Sequence, residues 1–154
     1  SAILCPSNAG QLAISTYLSQ FDWRGQVKEY RRMYAERRDA MIGALQEHLP
    51  TCSWTVPDGG FYVWVKLPEG LDAREMLPRA VTSLVAYVPG TAFYADGSGA
   101  SHLRLSYCYP TPERIVEGVR RLAGVVNAEA DLVAMFGTAP SRSEGVDQPG
   151  PATP

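Results

Sequence analysis

Residues 57–67, Pro-Asp-Gly-Gly-Phe-Tyr-Val-Trp-Val-Lys-Leu, decide the fold of this 154-residue chain. A paired-glycine turn opens a run in which Phe61, Val63, Val65 and Leu67 alternate with Tyr62, Trp64 and Lys66. A period of two is that of a β-strand, here with both faces partly covered. Val88-Pro89-Gly90 supplies a second turn, and Leu103-Arg104-Leu105-Ser106 lies in a further strand predicted over His102 to Tyr107. The order places one fixed cation at the mouth of a small sheet, where an anionic group could dock.

Outward from that centre, the apolar residues Val27, Tyr30, Tyr34, Met41, Ile42 and Leu45 fall on one helical face. They predict a helix over 26–48, about 33 Å long and stopped by Pro50, with Tyr30, Tyr34 and Met41 packed as core. Asp72 caps the next helix and Glu75 stands at capping-box spacing. That helix is expected to bury Met76, Leu77, Ala80, Val81 and Leu84, with a kink at Pro78. Val85 to Val88 read as a short strand. Thr111-Pro112 starts a last helix reaching about Val126, with Ile115, Val119, Leu122 and Val126 on its buried stripe. Residues 1–20 read as a loop and a short helix, in a chain that looks entered midway. The Gly, Pro and Ser of 137–154 predict a disordered tail. The expected class is α+β: a small mixed or antiparallel sheet covered by helices and preceded by a long helix between two bodies.

Composition excludes more than it assigns. A net charge of −2 and 19% charged residues give no clustered positive field for nucleic acid or an anionic membrane. Cys5, Cys52 and Cys108 are odd in number and widely spaced, and only His48 and His102 could join them as metal ligands. Reduced thiols and no metal site are expected, hence a cytoplasmic setting. No run of about 18 apolar residues occurs, so no membrane span is expected.

Read together, Pro57-x-Gly59-Gly60-Phe61…Leu67-Pro68, Val88-Pro89-Gly90-x-x-Phe93, Leu103-Arg104-Leu105-Ser106 and Pro112-x-Arg114-Ile115-x-x-Gly118 resemble a family. Their order and spacing are similar to the C-terminal small domain of fold-type-I, pyridoxal-phosphate-dependent aminotransferases of class I/II, in the branch with 2-aminoadipate and kynurenine transaminases. Tyr30 to Leu49 resembles the interdomain helix of that family, so the likeness covers residues 8–126. It implies a division into 1–25, the edge of a large domain with its linker, 26–126, the small domain, and 127–154, the end of the last helix and the tail.

The resemblance implies that Arg104 grips the α-carboxylate of a substrate, in an enzyme exchanging an amino group between an amino acid and a 2-oxo acid. The physics suits the role, because a planar guanidinium binds a carboxylate through two parallel hydrogen bonds. Strand periodicity alone also allows Arg104 a plain place on a solvated face with His102 and Ser106. Gly59 and Gly60 form either a plain turn or an entrance turn that lets Tyr62 line the pocket. Pro89-Gly90 with Phe93 reads as a structural corner. The family also uses a Schiff-base lysine, a pyridinium-pairing aspartate and a phosphate cup. Lys28 and Lys66, the only lysines, stand in neither context. The expectation is therefore a substrate clamp with no catalytic or cofactor-binding residue in this chain, inactive by itself and binding no pyridoxal phosphate alone. Its implied partners are the rest of the enzyme and a second copy of the parent in a homodimer. Two alternatives stand beside this reading: the ligand-sensing segment of an aminotransferase-like regulator fused to a winged helix, and a free-standing interaction domain.

Overall fold

The structure, a computed structural model, describes residues 7–137. Its elements run α1 (Asn8–Gln20), α2 (Trp23–His48), β1 (Ser53–Trp54), β2 (Tyr62–Lys66), α3 (Ala73–Thr82), β3 (Val88–Pro89), a 3-10 turn (Gly90–Phe93), β4 (His102–Ser106) and α4 (Pro112–Phe136). The four strands form one antiparallel sheet in the order β1-β2-β4-β3. The class is α+β, and the sheet is antiparallel throughout. Cys5 and residues 138–154 of the expected tail lie outside the described residues.

Alternation sorts the sheet into two faces. Val63, Val65, Leu103 and Leu105 are buried, and they share one core with Met41, Ala44 and Leu45 of α2, Met76 and Ala80 of α3, and Ile115, Val119, Leu122 and Val126 of α4. Each of the valine, leucine, isoleucine and methionine side chains stabilises the fold by about 1.5–3 kcal/mol, which is why these elements cohere. The helices therefore cover one face, and Tyr62, Trp64, Arg104 and Ser106 point away from them.

The caps explain the boundaries. Asp22 accepts from the backbone N–H of Gly25 and starts α2, while Asp72 accepts from Arg74 and Glu75 and starts α3. Thr111 stands at the start of α4 without a side-chain capping bond, leaving Pro112 as its start signal.

Several expectations are corrected. Only Met41, Ala44 and Leu45 of α2 are buried; Val27 and Tyr30 are exposed and Tyr34 is half-buried, because no described element packs along the first half of this 26-residue helix. Val81 and Leu84 are exposed instead of core. Leu84 turns the chain in the left-handed region, with φ 60°, and breaks the apolar run there, so the strand begins at Val88 and not Val85. The last helix continues ten residues past Val126 and ends at Gly137, whose φ of 75° suits glycine.

Candidate substrate-binding face

The site is built on the uncovered face of the sheet. Register sets Tyr62 opposite Ser106, Trp64 opposite Arg104 and Lys66 opposite His102. Val88 pairs with Arg104 on its other side, so Arg104 occupies an interior strand. The 3-10 turn brings Phe93 over this face. Its approach depends on Gly90, where a Cβ would collide with the carbonyl oxygen of Gly99 and stand 2.8 Å from Cβ of His102.

Arg104 is held by aromatic rings. Its guanidinium carbon lies 4.0 Å from the ring centroid of Tyr62 and 4.7 Å from that of Phe93. Trp64 supports both neighbours, stacking on His102 at 5.6 Å and meeting Phe93 edge to face at 5.3 Å. Among the described residues Arg104 makes no side-chain hydrogen bond and no ion pair. A guanidinium carries five N–H donors in a fixed fork, so this half-buried cation offers them outward. That arrangement can receive a carboxylate edge-on, which is the chemistry the guanidinium geometry favours.

Tyr62 and Arg104, both expected at the site, are thus brought together. Gly59 and Gly60 are not. Their turn lines a separate cleft of about 500 Å³ against α2, with Tyr30, Tyr34, Arg31, Arg38 and Phe61 on its walls. Gly60 adopts φ 90°, and its carbonyl accepts a 2.9 Å hydrogen bond from Tyr107 Oη. Burial pushes the Tyr107 phenol up, an effect the positive charge of Arg38 opposes. Phe61 joins the two regions, edge to face with Tyr34 at 4.9 Å and with Tyr62 at 6.5 Å. Ser106 shares the Arg104 face, but its hydroxyl is engaged 3.1 Å from Cys108 Sγ.

Phe93 and Trp64 are site residues that sequence reasoning did not single out. The signal for Phe93 was its fixed distance from Pro89-Gly90, read there as a corner.

Among the described residues neither lysine is sequestered from solvent as a Schiff-base lysine is. Lys28 is exposed on α2 and Lys66 is exposed on β2. No cluster of three metal-ligating side chains occurs among the described residues. No described helix is long and apolar enough to cross a membrane.

The family model described as "Aminotransferase class I and II" matches residues 1–122. An aromatic-amino-acid aminotransferase of Thermococcus litoralis is 39% identical over 130 residues, covering 84% of this chain and 31% of that protein. The crystal structure of the α-aminoadipate aminotransferase of Thermus thermophilus, complexed with N-(5'-phosphopyridoxyl)-L-leucine, superposes with a TM-score of 0.71 at 39% identity. It covers 75% of this chain and 30% of that one. An HTH-type transcriptional regulator of Escherichia coli, YdcR, is 30% identical over 124 residues and is covered over 26% of its length. The chain therefore spans about a third or less of each of these relatives.

Proposed function

We propose, from the premise that this chain belongs to the aminotransferase class I and II family, that it is the substrate-carboxylate clamp of a longer pyridoxal-phosphate enzyme, with Arg104 as the gripping residue. The observation that carries the reading is the placement of Arg104. It stands mid-sheet on the uncovered face, held by two aromatic rings, with no acidic partner among the described residues. In the parent, an amino acid and a 2-oxo acid exchange an amino group, and both present the α-carboxylate that such a clamp binds.

Arg104 binds and orients. Two parallel hydrogen bonds from its fork fix both the position and the plane of the carboxylate. A substrate held that way has its Cα bonds in one orientation, which is the positioning share of catalysis. Pyridoxal phosphate supplies the electron sink when bound. The lysine, aspartate and phosphate-binding residues for it are assigned to the remainder of the parent. The 154-residue chain alone is accordingly inactive and binds no pyridoxal phosphate.

The division 1–25, 26–126 and 127–154 carries over, with the end of helix α4, at Phe136, in the last part. Support comes from burial: α1 has no buried residue, and α2 contributes to the core only from Met41 onward. The uncovered apolar residues of α1 and the first half of α2 are the surface that the large domain covers. The parent acts as a homodimer in the cytoplasm, a setting in which Cys52 and Cys108 stay free thiols, as they are here.

A second reading has one observation behind it, the similarity to the regulator YdcR. There the same arginine would hold the carboxylate of a sensed ligand. Coding sequence ahead of Ser1 separates the two, since a lysine-bearing large domain directly upstream, without a basic helix-turn-helix segment, selects the enzyme. In the full-length enzyme, Arg104→Ala is expected to lower kcat/KM by about a hundredfold or more; an unchanged value rejects the clamp.

A further inference from the structure

We infer that Phe93 is a positioning residue for Arg104, forming with Tyr62 an aromatic cradle that holds the guanidinium ready for a carboxylate. The inference rests on the clamp reading above and extends it to a residue outside the sheet.

A long arginine side chain on an open sheet face is ordinarily mobile, and immobilising it on binding costs side-chain entropy. A carboxylate neighbour would hold it still, but would occupy the donors that the ligand needs. Aromatic faces avoid that conflict, because they attract the cation through the ring quadrupole and accept none of its in-plane N–H bonds in the process. Rings at 4.0 and 4.7 Å from the guanidinium carbon, both well within the roughly 6 Å range of this attraction, come from two different elements. Tyr62 reaches diagonally from β2, and Phe93 arrives from the 3-10 turn.

Phe93 is itself fixed. Its ring is braced edge to face by Trp64, whose own ring stacks on His102. The turn carrying it sits against β4 because Gly90 lacks a side chain. Yet Phe93 is 46% exposed and belongs to no core cluster, so packing alone gives little reason for an aromatic ring there. The cradle supplies that reason.

The test uses the isotope-labelled 154-residue chain. Relaxation of the Arg104 Nε–H group is measured without ligand in wild type, Phe93→Leu and Phe93→Tyr. The expected result is a restricted side chain in wild type, a mobile one in F93L, and restriction restored in F93Y. If F93L melts, Phe93→Met, closer to the natural volume, makes the same comparison. Equal Arg104 mobility in wild type and the leucine or methionine variant overturns the inference. A second arm titrates acetate into the same samples. Wild type is expected to bind roughly five- to tenfold more tightly than F93L, the span of one cation–π contact. Equal acetate affinity also overturns the inference. A restricted Arg104 that ignores acetate in every sample leaves the cradle standing as a fact of the fold and rejects the clamp reading instead.

Discussion

Tyr107 at the end of β4 donates from Oη to the carbonyl of Gly60, 47 residues earlier, over 2.9 Å. Tyr107 is 1% exposed, so this bond fastens the paired-glycine turn to the last strand from inside. The turn therefore owes its place to a buried phenol as well as to glycine's tolerance of φ 90° at Gly60. Removing the hydroxyl by Tyr107→Phe leaves the ring packing but deprives the Gly60 carbonyl of a partner. The expected cost is about 1 kcal/mol in urea denaturation. A midpoint equal to wild type would show that water replaces the bond freely.

Gly90→Ala is expected to damage the site more than a methyl group normally does. The new Cβ would meet the backbone of Gly99 and His102, neither of which can yield as a flexible side chain could. The 3-10 turn must move, and with it Phe93. A loss of about 2 kcal/mol or more is expected in thermal unfolding. A variant as stable as wild type would mean that the turn does not press on β4.

Leu84 offers the opposite case. It holds φ 60° and is 79% exposed, so it spends backbone strain without compensating burial. Leu84→Gly removes a strain of about 1–2 kcal/mol while loosening the unfolded chain by roughly half as much. A net gain below about 1 kcal/mol is expected by calorimetry. A lower melting temperature would show that Leu84 is held by packing.

Stability at high pH should fall through Tyr87. Its phenol is buried, donates to the carbonyl of Ala73 at 2.7 Å, and is pushed up to about 12, chiefly by burial. A folded pKa above the ordinary value of about 10 means that the folded state keeps its proton longer than the unfolded state. The stabilisation is therefore complete below about pH 10 and is lost as the pH rises toward 12. A displacement from about 10 to about 12 corresponds to roughly 2–3 kcal/mol. Denaturation of wild type and Tyr87→Phe across this window checks the sign: the difference between them should shrink as pH rises, and a constant difference would contradict it.

How much of this was legible in residues alone depends on what each pattern measures. The alternation at Phe61 to Leu67 and at Leu103 to Ser106 reports strands, and both lie where it put them within a residue. Phe61 to Leu67 read as partly covered on both faces, whereas the strand is buried on one. The helical stripe through Tyr30 and Tyr34 reports an apolar face equally well, but periodicity does not say whether the covering partner belongs to the described chain. Here Tyr34 meets Phe61, Tyr30 stays exposed, and both tyrosines line a cleft. The run Leu84 to Val88 has strand-like composition, and a single left-handed residue shifted the strand to its end. At the site, Arg104 and Tyr62 could be placed on adjoining strands by pattern. Phe93 could not, because its approach is set by the close contact of Gly90 with the backbone of Gly99 and His102, which no periodicity reports.

The central claim is that Arg104 receives the carboxylate of a 2-oxo acid, and the most direct measurement is titration of 2-oxoglutarate into the labelled chain while following the Arg104 Nε–H resonance. Wild type should show a saturable shift at Arg104, and the same titration of Arg104→Gln should show no saturable binding at the Tyr62 and Phe93 resonances around it. An Arg104 signal that does not move, or equal binding by R104Q, would contradict the account.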